Sequence, residues 1–218
     1  VSAEQRYADA ADPALEFRVI LPRERDHEYS ADHLDGRWII RSNWLAPNFR
    51  LIEAPVGEAA DRSRWRVLVA HRDDASVEGF DVFRGFLAVE ERSGGLRRLR
   101  IRSWDGSREF ELAADGAASV VELGDNEEID SNTVRYLCTS LTTPVRTYDY
   151  DVSTGERTLL KEQPVLGGFD ASSYVTEYLW APARDGERVP VAIVHRMGVR
   201  RDGTAPLMQL GYGAYGLS

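Results

Sequence analysis

The chain has 218 residues, of which 43% are hydrophobic, 29% are charged and 10% are aromatic. This composition is ordinary for a globular protein with a buried core, and no apolar run reaches the length of a transmembrane helix, so no membrane partner is expected. The formal net charge of −9 argues against a nucleic-acid partner, because phosphate binding requires clustered Lys and Arg.

Short alternating runs separated by glycine-containing turns fill most of the chain, and helical periodicity is nearly absent. One unit recurs three times: an apolar strand, a short polar turn and a partner strand with alternating large side chains. Trp38, Phe86 and Tyr136 open these units, at intervals of about 50 residues. Each unit is preceded and followed by one more strand-like segment. The preceding segments are HEYSADHL, SVEGFDVF and ASVVELGD, and the following ones are RWRVLVAHR, REFELAADG and ERTLLKEQ.

A four-stranded unit repeated in this way is typical of the blades of a β-propeller. An irregular β-sandwich with recurring strand lengths is the alternative, and the repeat favours the propeller. The earlier segment LEFRVILP is interpreted as the outer strand of a preceding blade. The sequence thus predicts a mainly β protein with about three four-stranded blades, fewer than the roughly 4–8 that close a propeller.

The pattern changes after Pro164. A Gly-Gly pair at 167–168 marks a linker, and the segments YVTEYLWAPA and VPVAIVHRM flank a predicted hairpin turn through Asp185 and Gly186. The segment PLMQLGYG is more continuously apolar and predicts a strand buried on both faces. Neither a helix nor a polar tail follows it, so we expect the chain to be an internal piece of a longer protein.

Four stretches resemble a known family. They are DHEYSADHLDGRWIIRSN, GFDVFRGFLAVEERSGGL, SLTTPVRTYDYDVSTGERTLLK, and ARDGERVPVAIVHR with GTAPLMQLGYGAYG. From Glu16 onward the chain resembles the oligopeptidase B (protease II) branch of the prolyl oligopeptidase family of serine peptidases. The resemblance implies a seven-bladed propeller on an α/β-hydrolase domain. Residues 1–163 would form the C-terminal part of that propeller, and residues 164–218 would form the linker and the truncated start of the hydrolase domain, including its first strands.

The resemblance also implies cleavage of short peptides after Arg or Lys. Such peptidases need a Ser on a G-x-S-x-G elbow, then an Asp and a His. No such elbow occurs in the 218 residues, so the triad is expected beyond Ser218 and the chain alone is expected to be inactive. One functional residue carries over by resemblance: Tyr212, whose hydroxyl would bind the oxyanion. Gly211 and Gly213 would let the backbone turn sharply beside the substrate, and Tyr215 is interpreted as a packing aromatic.

Other candidates are interpreted as structural. His27 and His33 stand among carboxylates, but their spacing matches no compact metal motif, so no metal site is expected and a blade-to-blade hydrogen bond is predicted for one of them. His71 and His195, at strand ends, are interpreted as structural or surface groups. Cys138 is interpreted as an inert core thiol, and a lone cysteine suits a reducing, cytoplasmic compartment. Without a Walker loop or a dinucleotide fingerprint, no cofactor is expected.

Two functions remain open at this point. The first is a fragment of a serine oligopeptidase whose propeller filters substrates by size; the second is a non-catalytic propeller module that binds peptides or a partner protein. A propeller glycosidase lacks suitable paired carboxylates. The acidic segment LGDNEEID is predicted to be a solvated loop, which would attract basic peptides if it lay near the central opening. An open arc of blades also predicts self-association through exposed strand edges.

Overall fold

The computed structural model describes residues 1–213, which form sixteen β-strands and two single-turn 3-10 helices, Arg62–Arg64 and Ala171–Ser173. No α-helix is present in this range, and no helix in it is long and apolar enough to cross a membrane. The predicted mainly β class is therefore confirmed.

Three four-stranded antiparallel sheets form the body of the molecule. The first contains β3 (Tyr29–Leu34), β4 (Arg37–Ser42), β5 (Arg50–Pro55) and β6 (Arg66–Val69). The second contains β7 (Ala75–Val82), β8 (Phe86–Ser93), β9 (Leu96–Ser103) and β10 (Glu109–Glu111). The third contains β11 (Val120–Leu123), β12 (Thr133–Thr139), β13 (Arg146–Asp151) and β14 (Arg157–Glu162). These sheets are the three units that the repeat predicts.

Two smaller sheets flank this body. Before it, β1 (Arg6–Tyr7) pairs with β2 (Arg18–Val19), so only two residues of LEFRVILP form a strand. After it, β15 (Tyr174–Pro182) and β16 (Arg188–Arg196) form the predicted hairpin. Gly186, at φ +91°, supplies the left-handed conformation that its turn requires.

The core lies between neighbouring sheets, because alternate side chains of each strand point to opposite faces. Leu34, Leu51 and Leu87 belong to a cluster shared by the first and second sheets. Leu99 and Tyr136 belong to a cluster shared by the second and third sheets. Each sheet therefore buries one face against the next, as blades do.

The prediction that PLMQLGYG forms a strand is wrong. Residues 206–213 are in no strand, and Leu207, Met208 and Leu210 are almost fully exposed. A strand needs a neighbour that accepts its backbone hydrogen bonds, and no strand among residues 1–213 lies alongside this segment. Of the three strands predicted after Pro164, the described residues form only the two of the β15–β16 hairpin, and the assignment of this region to a hydrolase domain stays a prediction.

Candidate functional site

The first strands of the three sheets form the inner edge of the body. β3 contacts β7, and β7 contacts β11. Because each sheet is an antiparallel meander, the β3–β4 and β7–β8 turns lie at one end of this edge, whereas the β8–β9 and β12–β13 turns lie at the other. We call these the rim end and the hairpin end, since the β15–β16 hairpin contacts the second.

Carboxylates cluster at the rim end. We define the acidic rim as the carboxylates of Asp32, Asp35, Asp81, Glu127 and Asp130. Asp81, on β7, accepts a hydrogen bond of 2.8 Å from the Asn126 side chain. Burial raises the pKa of Asp81, and the neighbouring charges of Asp32 and Glu127 raise it further, while the bond from Asn126 lowers it. Asp32 and Glu127 are therefore close enough to Asp81 to repel its ionised carboxylate.

Asn126 fixes the acidic segment LGDNEEID to the inner edge. Its amide also donates to the backbone oxygens of Gly124 and Arg135, and the Arg135 backbone N–H donates back to its side-chain oxygen over 2.7 Å. The acidic side chains of the segment remain exposed at Asp125, Glu127, Glu128 and Asp130. The predicted solvated loop is thus confirmed, and it lies beside the inner strands rather than at the outside of the body.

Arg84, in the β7–β8 turn, links the rim-end turns of all three sheets. Its guanidinium donates to Asp35 of the first sheet over 2.8 Å and also to Asp130. Its backbone N–H donates to the Ile129 oxygen over 2.7 Å. One cation therefore bridges two of the five rim carboxylates and ties the neighbouring blades together.

The acidic rim carries excess negative charge and would attract Lys- or Arg-containing peptides, an effect that salt screens over about 8–10 Å. Sequence reasoning pointed to the loop but missed Asp32 and Asp81. A signal was present: both are sixth in their repeat segments, HEYSADHL and SVEGFDVF.

Tyr212, the predicted oxyanion residue, lies in the irregular segment after β16 and is 61% exposed. A Cβ added at Gly211 or Gly213 would meet nothing within 4 Å, and neither glycine has a positive φ. The described residues therefore bring no catalytic partner to these three positions. Their predicted roles stay predictions, and Tyr215 lies outside the described residues.

His195 belongs to a charged cluster on the hairpin rather than to a catalytic triad. Its Nε2 lies 2.8 Å from the Glu177 carboxylate and 3.0 Å from the Arg201 guanidinium, which itself binds Glu177. Its Nδ1 lies 2.9 Å from the Arg196 backbone oxygen. These bonds to Arg196 and Glu177 raise the pKa of His195. The cluster supports the interpretation of His195 as a structural group at the surface.

The rings of His27 and His33 do not make the predicted blade-to-blade bond. His27 Nε2 lies 2.9 Å from Ser42 Oγ, and His33 Nε2 accepts from the Gly36 N–H over 3.2 Å, so both bonds stay within the first sheet. The reason is that both residues flank or end β3, where the adjoining β4 is nearer than the next sheet. Among residues 1–213, no three His, Cys, Asp or Glu side chains are placed to hold a metal ion.

Cys138 lies on β12 and is fully buried between the second and third sheets. Burial raises the pKa of its thiol, which disfavours the reactive thiolate. The interpretation as a core thiol is confirmed.

Comparisons with known proteins agree with this architecture. Residues 1–163 match the family described as prolyl oligopeptidase, N-terminal beta-propeller domain. The chain is 50% identical over 220 residues to dipeptidyl aminopeptidase BI of Pseudoxanthomonas mexicana, covering 100% of this chain and 30% of that protein. It is 28% identical over 215 residues to Protease 2 of Moraxella lacunata, covering 99% of this chain and 30% of that protein.

Among solved structures, oligopeptidase B from Leishmania major matches with a TM-score of 0.87 and 29% sequence identity, covering 100% of this chain and 32% of that chain. The resemblance found in the sequence is therefore confirmed. The chain spans only 30% of the length of the two curated relatives.

Proposed function

Because its residues 1–163 match that propeller domain, the chain belongs to the prolyl oligopeptidase family, and we propose that it is part of a serine peptidase that cleaves short peptides after Arg or Lys. The family match is the observation that carries this proposal. The oligopeptidase B neighbour, which covers the whole chain, supports the branch of the family. In the proposed division, residues 1–163 are the last blades of a propeller and residues 164–218 begin the peptidase domain.

In this proposal the propeller acts as a filter that admits short, basic peptides. The acidic rim supports it, because negative potential at the inner end of a blade raises the local concentration of cationic peptides. Tyr212 would act with a triad that lies outside this chain: a serine attacks the peptide carbonyl, and the Tyr212 hydroxyl donates to the developing oxyanion. The chain alone, without Ser, Asp and His of a triad, is proposed to be inactive.

We place the parent protein in the cytoplasm, since one buried cysteine suits a reducing compartment. We also propose that the chain alone self-associates through the unpaired outer edges of its sheets. Charged residues on β10 and on β14 oppose such pairing, so the association is expected to be weak.

The relative with 50% identity favours a second mode of cleavage. Its name, dipeptidyl aminopeptidase BI, describes the removal of dipeptides from a free N-terminus, whereas an oligopeptidase cleaves inside a peptide. The two modes differ in whether the substrate needs a free α-amino group. The non-catalytic binding module is the remaining alternative.

The test is an assay of the full-length protein with two chromogenic arginine amides, one with a blocked N-terminus and one that is a free dipeptide. Cleavage of the blocked substrate supports the oligopeptidase, and cleavage of the free dipeptide alone supports the dipeptidyl mode. Tyr212→Phe is expected to lower kcat about 100-fold with little change in KM, as loss of one oxyanion donor does. Tyr150→Phe, the same change on β13 in the third sheet, is the matched control.

Two results would contradict the proposal. Hydrolysis of neither substrate, together with saturable binding of the peptides, would support the binding module instead. Equal activity of Tyr212→Phe and the parent protein would remove Tyr212 from the oxyanion site without affecting the assignment as a peptidase.

A further inference from the structure

The β15–β16 hairpin contacts the β8–β9 turn of the second sheet. The Tyr178 hydroxyl donates to the Gly94 backbone oxygen in the β8–β9 turn. Trp180, two residues along the same strand, packs over Gly94, and Pro190 of β16 packs over Gly95. An aromatic pair and a proline thus contact two consecutive glycines.

Both glycines are required by backbone conformation and by space. Gly94 and Gly95 have φ of +57° and +83°, which residues with a Cβ rarely adopt. A Cβ at Gly95 would lie 2.9 Å from Pro190 Cγ and 3.0 Å from the Tyr178 hydroxyl oxygen, and one at Gly94 would lie 3.3 Å from the Trp180 ring. The positive φ values alone would favour glycine at both positions. The close approach of the hairpin is a second, independent reason why a side chain does not fit there.

A second contact lies at the same end of the body. Thr142, in the β12–β13 turn of the third sheet, exchanges a hydroxyl–hydroxyl hydrogen bond of 3.0 Å with Thr176 of β15. Apart from such contacts the hairpin is open to solvent: none of residues 164–213 is buried, and Leu179 and Val189 are almost half exposed. The hairpin is therefore held by a few contacts at two turns rather than by a core.

We propose that the Gly94–Gly95 turn is a docking socket of the propeller for the β15–β16 hairpin. The socket sets where the chain after residue 163 leaves the blades, and hence where the segment that contains Tyr212 begins. The hairpin docks and undocks as one unit, because none of the linker residues 164–170 before it is buried and the linker carries two positive-φ glycines, Gly167 and Gly168. This inference concerns an interaction surface and holds whether or not the parent protein is a peptidase.

The test is hydrogen exchange of the hairpin amides in the chain, measured by mass spectrometry. An isolated two-stranded hairpin is marginally stable in water, so undocking exposes its amides. Gly95→Ala is expected to speed exchange across residues 174–196 about tenfold relative to Gly36→Ala, since exchange follows the population of the open state. Gly36 is the matched control: its φ is +78°, but a Cβ there meets nothing within 4 Å.

A variant on the hairpin side tests the socket without altering the blade. Tyr178→Phe removes the bond to Gly94 and is expected to speed exchange in the hairpin, whereas Tyr174→Phe, at the exposed start of the same strand, is expected to leave it unchanged. If Gly95→Ala does not fold, the comparison of Tyr178→Phe with Tyr174→Phe tests the socket by itself. Equal hairpin exchange in Gly95→Ala and Gly36→Ala, or in the two tyrosine variants, would overturn the socket. Exchange needs no catalysis, so a failure of the proposed peptidase function would leave this result intact.

Discussion

The blades and the hairpin are both antiparallel β-structure, yet they are stabilised differently. Each of the three sheets in residues 29–162 buries side chains against its neighbour, and every buried residue described lies before residue 149. The hairpin at 174–196 makes a full ladder of backbone pairs and buries no residue completely. Backbone pairing alone is therefore enough to define a strand, whereas burial against a second layer determines how much free energy that strand contributes.

The sharpest way to test this comparison is to truncate one leucine in each region. Leu99, on β9, is 0% exposed, so Leu99→Ala is expected to lower the free energy of unfolding by about 2–5 kcal/mol. Leu179, on β15, is 44% exposed, so Leu179→Ala is expected to change it by less than about 0.5 kcal/mol. Urea unfolding followed by circular dichroism measures both. Comparable losses would show that the hairpin belongs to the same cooperative core.

A second test compares two carboxylates that each bind several donors. Asp115, in the connection between β10 and β11, accepts from Arg157 over 2.7 Å and from the Tyr148 hydroxyl over 2.9 Å, both of the third sheet. Asp115→Ala leaves these half-buried donors without a partner and is expected to cost about 1–3 kcal/mol. Glu177→Ala, which removes the acceptor for His195 and Arg201 on the hairpin, is expected to leave the urea midpoint unchanged. A shift of that midpoint as large as for Asp115→Ala would contradict the comparison.

The smallest effect concerns two histidines with opposite responses to pH. Burial lowers the pKa of His27 below its ordinary 6.5, and nearby Arg62 lowers it further. Bonds to the Arg196 backbone and to Glu177 raise the pKa of His195 above 6.5. Protonation of His27 therefore favours the unfolded state. The stability that neutral His27 contributes is complete above pH 6.5 and is lost as the pH falls from 6.5 through the lowered pKa. The contribution of His195 is complete below 6.5 and is lost as the pH rises through its raised pKa.

Titration of the imidazole signals by NMR measures both values. His27→Gln and His195→Gln assign the signals. If both imidazole titration midpoints lay above pH 6.5, or both below it, the opposite pKa shifts inferred for His27 and His195 would be contradicted.

The blade strands could be predicted from sequence because their alternation reflects burial of one face against a neighbour that the repeat itself supplies. Trp38, Phe86 and Tyr136 all lie on the second strands of their sheets, but only Phe86 begins its strand, and Tyr136 lies in the middle of β12. The strand in PLMQLGYG was predicted only from its continuous run of apolar residues. That prediction was wrong, because an apolar run indicates that a segment would be buried but not that a neighbouring strand is present to pair with it. Strand ends were also harder to predict: REFELAADG contributes only Glu109–Glu111.

The candidate site was less predictable, because it depends on contacts between distant residues. Arg84 meets Asp35 and Asp130, which lie 49 and 46 residues away in the sequence, and only the placement of neighbouring sheets brings them together. The blade-to-blade hydrogen bond predicted for the ring of His27 or His33 was wrong because the sequence does not show which neighbouring strand each ring faces. The oxyanion role of Tyr212 rests on the family resemblance and stays a prediction.

Every strand in the three sheets pairs only with its neighbours in the chain. Closing a short loop costs little chain entropy, so each sheet can assemble from a local stretch without waiting for distant residues. During synthesis the first sheet is therefore complete before the second has left the ribosome, and each new sheet folds onto a surface that already exists. The same locality means that duplication of one blade-length gene segment adds a whole sheet without breaking the strand pairing within any other sheet.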